Sequence, residues 1–356
     1  MSEAFNNIRI LIIDPTGNKD YKNSLLYPMK KHLEDLGAVV RVLKINQPPA
    51  FRNNYLPDKI KNIYRRIFFN DKHYYHFIEI KHYSRYYLNE FQKQTKGESY
   101  DYTFLLRPDR FSLPFIKQVR KKTDFLATYM WTAVKKGTEQ NILKTRKYFD
   151  NAYGFDPYEN QEYKNFNWKF STNFIYNYPK VAQTKDIECL YFGSIYTNRR
   201  DLIAYNLFKE ITNSFKVKIF IENEYLSKEK YIDDESVEYI DYQIPYFEYL
   251  YESSKAKVLL DIAKPEHKGL SFRFFECLKL ETKLITNNTD VVNYDFYCPE
   301  NIFIIDFNHP NLEKLNEFIH TPYKRISPEI IEKYSFENWM KYIFQMPGHE
   351  PIKYIY

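Results

Sequence analysis

Residues Lys257–Asn288 read KVLLDIAKPEHKGLSFRFFECLKLETKLITNN, and this stretch decides the fold class. Its apolar run Val258-Leu259-Leu260-Asp261-Ile262 has the length and composition of a buried parallel strand. A polar loop follows and ends in His267-Lys268-Gly269. Ser271 then stands where a helix N-cap belongs, ahead of Phe272, Phe275, Leu278 and Leu280 at roughly helical spacing. A second apolar run, Lys283–Thr286, is the next strand. In such a strand–loop–helix–strand unit the amino end of the helix faces the loop. Its free amides and dipole suit an anion there, and Gly269 lets the backbone approach one closely. Arg273 lies in the same turn and can add a charge-assisted bond to a phosphate. Glu276, one turn later, suits a diol such as a ribose. An ordinary crossover of an α/β domain would share the glycine but not the combination of Gly269, Ser271, Arg273 and Glu276.

Outward from this stretch, strand and helix signals alternate along most of the 356 residues, enough for two cores of ordinary domain size. Ile8–Ile13 is a strand ending at Asp14-Pro15-Thr16-Gly17. A helix presenting Leu25, Leu26, Met29, Leu33 and Leu36 on one face closes at Gly37 before the strand Val39–Leu43. This opening lacks the GxGxxG fingerprint, which argues against NAD. Asp14 falls at a strand's carboxyl end, where ligands gather in open α/β sheets, although Asp-Pro is also a common turn starter. Tyr102–Leu106 is a further strand, followed by Arg107, Asp109 and Arg110, read as a binding group or an internal salt bridge. A helix over Phe115–Lys121, a strand Phe125–Trp131 and a helix Leu143–Asp150 lead to Ala152-Tyr153-Gly154-Phe155-Asp156-Pro157.

Between these elements, Phe51–Glu90 interleaves Arg65, Arg66, Lys72, His73, His76, Lys81, His82 and Arg85 with aromatic residues at helical spacing. Two readings stand: an acceptor- or membrane-facing surface, or two helices packing tyrosines inward under a solvated basic face. The histidines lack a carboxylate–histidine pattern for a metal.

Asn173–Asp186 is polar and turn-rich and reads as an interdomain linker. YFGSIYTNRRDLI, from Tyr191, repeats the strand, glycine turn, polar loop and helix order. The strands Val217–Ile221 and Val237–Ile240 and the helix Tyr246–Ser254 follow, with Tyr242 and Ile244 on the intervening loop. Asn301–Asp306 is the last strand, and helices occupy Pro310–His320, Pro328–Tyr334 and Phe336–Phe344.

Composition narrows the possibilities. The formal net charge of +6 permits attraction to phosphates or an anionic surface, but no nucleic-acid module is visible. Cys189, Cys277 and Cys298 are odd in number and far apart, so neither a disulfide framework nor a metal knuckle is indicated. The amino terminus lacks a signal-peptide core and no apolar run reaches bilayer-spanning length, so a soluble cytoplasmic protein is expected, with contact at the inner membrane face left open.

GLSFRFFECL from Gly269 and YFGSIYTNRR from Tyr191 together resemble the carboxyl-terminal half of GT-B glycosyltransferases, particularly bacterial enzymes of capsule, O-antigen and lipopolysaccharide synthesis. Gly154-Phe155-Asp156-Pro157 resembles the end of their first domain. The resemblance implies two Rossmann-like α/β domains facing across a cleft: an acceptor-side domain over 1–175 with a basic and aromatic insertion at about 51–95, and a donor-side domain over 186–335. A helix and tail over 336–356 would cross back to the first domain. It implies donor contacts at Gly193, Ser194, Arg199, Arg200, Tyr242, Ile244, Lys268, Gly269, Leu270, Ser271, Arg273 and Glu276, and acceptor contacts at Arg107 and Arg110. Asp14 is the expected general base, with Asp109 in reserve. The implied reaction moves a sugar from a nucleotide-diphosphate donor to an oligosaccharide or lipid-linked glycan, inverting configuration without a metal or other cofactor. The spacing from Gly269 to Glu276 departs from the paired-glutamate motif of the common retaining families, and Glu266 does not supply its first member. Two other functions fit the same residues. A non-catalytic nucleotide- or sugar-binding subunit would keep Arg273 and Glu276 and tolerate Asp14→Asn; a nucleotide-sugar epimerase would act without any acceptor.

Overall fold

The computed structural model describes residues 3–15, 24–43, 55–71, 74–132, 134, 139–177, 181–194, 199–221, 231–263 and 268–355. Thr16, Gly17, Lys72, His73, Glu266 and His267 of the preceding section lie outside them. The chain divides into two units: Met1–Thr172 with Met340–Pro351, and Asn173–Trp339 with Ile352–Tyr356.

The first unit is built on β1 (Arg9–Ile13), an apolar run buried from Ile10 to Ile13 because neighbours cover both its edges and both its faces. β1 pairs in parallel with β2 (Val39–Leu43) on one side and β3 (Tyr100–Leu106) on the other, Ile10 lying opposite Val40 and Tyr102. β4 (Thr123–Met130), β5 (Asn151–Gly154) and β6 (Trp168–Phe170) extend the sheet, in the order β2-β1-β3-β4-β5-β6. α1 (Leu26–Asp35) ends where Gly37 takes φ +96°, so that Ala38 N–H reaches the Leu33 carbonyl and Gly37 N–H that of Glu34. The core gathers Leu11, Ile13, Leu105 and Phe91 around the stacked rings of Phe111 and Phe115, 4.6 Å apart. α2 (Leu56–Phe68) and α3 (Tyr74–Gln94) form the insertion, and α4 (Leu113–Arg120), α5 (Glu139–Thr145) and α6 (Pro157–Glu162) complete the unit's own helices. β6 and α6 carry no readable period, being only three and six residues long. Phe344, counted with this unit, packs its ring on Tyr102 at 4.7 Å.

The second unit holds another all-parallel sheet of β7 (Ile187–Ser194), β8 (Phe215–Phe220), β9 (Val237–Ile240), β10 (Ala256–Asp261), β11 (Lys283–Thr286) and β12 (Ile302–Ile304), in the order β12-β11-β10-β7-β8-β9. Its helices are α7 (Arg200–Ile211), α8 (Tyr246–Ser254), α9 (Phe272–Leu280), α10 (Leu312–His320) and α11 (Pro328–Lys333). α12 (Phe336–Phe344) follows them. The linker expected over Asn173–Asp186 begins later than its polar composition suggests. Phe174, Ile175 and Tyr176 are buried, the Phe174 ring lies 4.4 Å from that of Trp339, and Ile175 bridges to Ser335. Aromatic burial here outweighs the turn-forming residues around it.

Candidate functional site

In the second sheet the chain starts at the central β7, steps out through β8 and β9, and returns to the other side of β7 as β10. The carboxyl ends of β7 and β10 therefore flank a topological switch point, where connections diverge and leave a crevice. Gly193 and Ser194 end β7, and Arg199 and Arg200 open α7 beyond it. Asp261 ends β10, and the chain re-enters at Lys268 to open α9. The two expected donor loops thus share one switch point, and Arg273 ties them directly: its Nη2 donates to the Phe192 carbonyl at 2.7 Å.

The segment from Lys268 to Ser271 is held by side chains distant in sequence. Asn173 Nδ2 donates to the Leu270 carbonyl at 2.9 Å, and Asn288 Nδ2 reaches those of Lys268 and Gly269 at 3.4 Å. Ser271 has the extended backbone of an N-cap, but its hydroxyl donates to Asp261 Oδ1 at 2.8 Å and does not cap the helix. Asp261 also accepts from Thr286 Oγ1 at 3.0 Å. The Ser271 side chain therefore leaves the first-turn amides of α9 uncapped, and that turn holds no acidic residue of its own. Lys268 adds a half-exposed ammonium 3.6 Å from Asp290.

The structure packs three of the expected donor residues against their neighbours. Arg273 turns into the fold: its side chain is 18% exposed, Nη1 lies 3.6 Å from Asp261, and the guanidinium sits over the Tyr191 ring at 5.6 Å. Burial works against its charge, yet Tyr249, Asp261, Tyr191 and Glu276 more than offset that and raise its pKa. Glu276 is 3% exposed and accepts from Tyr246 at 3.0 Å and Tyr249 at 2.7 Å, so it is a core carboxylate and not an open ribose partner. Burial raises its pKa, against the opposing pull of the Tyr249 bond and Arg273. Gly193 is small for a packing reason: a Cβ there would stand 2.4 Å from the Tyr191 hydroxyl. Arg199, at φ +43°, forks onto Asp201 at 2.8 and 2.9 Å, while Arg200 meets the Tyr191 hydroxyl and keeps a buried Nε with no partner among the described residues.

The first sheet has its own switch point, between β1 and β3. Asp14, 6% exposed, and Pro15 follow β1; Arg107, Asp109 and Arg110 follow β3. Arg107, at φ +56°, grips both oxygens of Asp109 at 2.8 and 2.7 Å. Burial opposes its charge, but the Asp109 bond and the fields of Asp109 and Asp14 prevail and raise its pKa. This corrects the reserve role of Asp109, since a carboxylate only 3% exposed and engaged at both oxygens is not available as a base. Arg110 stays half-exposed, its Nε 4.0 Å from Asp109. A cavity of about 300 Å³ opens here, lined by Pro15, Glu79, Ile80, Tyr83, Tyr87, Arg107 and Arg110. Burial lifts the Tyr87 hydroxyl to about 12, with Arg110 pulling the other way. One helix of the insertion, α3, is therefore a wall of the cavity.

No protein-family model matches the chain, and no curated protein matches it. Solved structures do. Sucrose-phosphate synthase of Thermosynechococcus elongatus matches 93% of this chain over 96% of its own, with 10% identity and a TM-score of 0.57. A trehalose-6-phosphate protein of E. coli, bound with UDP-2-fluoro glucose, matches 94% over 97% at 10% identity and 0.56. A putative UDP-N-acetylglucosamine 2-epimerase of Listeria monocytogenes matches 99% over 100% at 10% identity and 0.50. The fold is GT-B. At such identity the likeness extends to the fold and no further.

Within this GT-B frame, Tyr242 is 56% exposed and Ile244 half-buried on the loop after β9, the outermost strand of its sheet. Among the described residues no group of three or more His, Cys, Asp and Glu is placed to hold a metal, and no helix is long and apolar enough to cross a membrane. Asn173, Asn288 and Glu79 have no sequence signal for their places, because their partners are brought to them only by the packing of the sheets. Asp261 had one: an acid closing an apolar strand.

Proposed function

We propose that this protein transfers a sugar from a nucleotide-diphosphate donor to a hydroxyl of a bacterial surface glycan of the capsule, O-antigen or lipopolysaccharide kind. The observation that carries this is the amino end of α9, left uncapped by its N-cap residue Ser271 and flanked by Lys268, at the switch point of the second GT-B sheet. As the anomeric C–O bond to the diphosphate breaks, negative charge grows on the leaving phosphate. The α9 amides from Ser271 onward, Lys268, Ser194 and Arg200 oppose that charge with fixed dipoles and cations, while Arg199 is held by Asp201. Arg273 and Glu276 act one layer deeper, the first tying α9 to β7 and the second tying it to α8. Asp14 takes the proton of the acceptor hydroxyl as its oxygen attacks the anomeric carbon, which inverts configuration. Arg110 and the cavity beside it receive the acceptor. The E. coli structure bound with UDP-2-fluoro glucose favours UDP as the nucleotide, and a cytoplasmic place for the reaction follows from such a donor.

A thermal-shift panel of UDP, GDP, CMP and dTDP tests this. One diphosphate should raise the melting temperature, and Lys268→Ala, which removes a half-exposed side chain, should weaken that response. Indifference to all four nucleotides refutes the donor site. The second reading, a nucleotide-sugar epimerase, is favoured by the Listeria structure. Conversion of a UDP-sugar to its epimer without any acceptor would select it over transfer.

A further inference from the structure

α2 is turned inside out. At 100° per residue Leu56, Ile60, Ile63 and Ile67 form one stripe with Phe68 beside it, and these five side chains are between 57% and 70% exposed. No residue of the helix is buried. Its contacts are made by the opposite, polar side: Arg65 bonds Asp71 at 3.1 Å and lies over the Tyr74 ring at 5.1 Å, and Lys61 lies over the same ring at 5.8 Å. An amphipathic helix of a water-surrounded domain does the reverse, and a contiguous exposed apolar stripe of this kind marks an interaction surface. Charge surrounds it on both flanks. Lys59 and Arg66 border one side of the stripe, Tyr64 and beyond it Lys61 the other, and Asp58 is the helix's one acid.

We infer that α2 lies flat on an anionic lipid surface, its apolar stripe at the acyl boundary and its flanking cations among the headgroup phosphates. The charge pattern selects this occupant over a second copy of the chain, because an antiparallel symmetric contact through the stripe would set the flank of Lys59 and Arg66 against itself. The inference is independent of the glycosyl-transfer proposal, since α2 contributes no residue to either switch point.

The test is flotation of the full chain with vesicles of phosphatidylcholine alone and of phosphatidylcholine mixed with phosphatidylglycerol. Binding should be at least tenfold stronger to the mixed vesicles and should fall as salt rises. Ile63→Asp/Ile67→Asp should lower it tenfold or more, and Lys59→Glu/Arg66→Glu should remove the preference for the anionic lipid. Both variants alter exposed positions, so melting temperature and nucleotide response should stay at wild-type values, which separates lost adhesion from lost folding or a lost donor site. No flotation of the wild type, binding that Ile63→Asp/Ile67→Asp leaves intact, or a dimer in sedimentation velocity that the same variant dissolves would each overturn the inference.

Discussion

Replacing Arg273 with methionine separates its two possible roles. The side chain is 18% exposed and bonds the Phe192 carbonyl, faces Asp261 and lies over Tyr191. Methionine keeps most of the volume and removes the charge. Taking one partner from a buried ion pair costs about 3–5 kcal/mol. The 3.6 Å separation from Asp261, and the hydroxyls of Ser271 and Thr286 that remain on that carboxylate, put the loss at the lower end, about 3 kcal/mol. For a unit of this size that lowers the melting temperature by roughly 6–12 °C. Urea unfolding followed by circular dichroism should show the loss in one transition only, since Arg273 makes its contacts within the second unit. Glu276→Gln added to Arg273→Met should recover about 1–3 kcal/mol of the summed single losses, because the charge that Arg273 offsets is then gone. A variant that melts within about 2 °C of wild type yet loses its response to nucleotide would refute this placement. Arg273 would then reach outward to the ligand.

Further outcomes follow from the same geometry. Gly193→Ala forces a methyl group within 2.4 Å of the Tyr191 hydroxyl and should cost roughly 1–3 kcal/mol in urea unfolding. Asp109→Asn uncouples the Arg107 fork and should destabilise the first unit by about 3 kcal/mol, whereas Asp14→Asn should lower turnover roughly 10²–10⁴-fold at temperatures where the variant stays folded. Burial lifts the Glu159 carboxyl from 4.5 to about 8, with its Val134 N–H bond resisting and Asp156 and Glu162 assisting. Its folded pKa lies above its unfolded one, so its contribution is complete below about pH 4.5 and is lost as pH rises through about 8. Glu159→Gln should flatten that decline, read as a wild-type-minus-variant melting difference that moves in the variant's favour between those limits.

What the sequence determined by itself is the parallel α/β class. Runs such as Ile10–Ile13 and Val258–Leu260 are apolar on every residue, and only a strand covered on both faces buries them all. It also determined where each chemical segment sits along those strands, since Asp14, Arg107 and Lys268 all follow apolar runs that end in polar loops. Which side chains remain open to a ligand was decided by tertiary structure alone. Arg273 and Lys268 stand five residues apart with the same charge, yet one is gripped by β7 and Asp261 and the other is half in solvent. The insertion is the sharpest case: α2 and α3 both interleave basic with apolar residues, but α3 walls a cavity while α2 leaves its apolar stripe uncovered. Periodicity records that a helix has two faces; which of them is covered depends on neighbours that the local sequence does not encode.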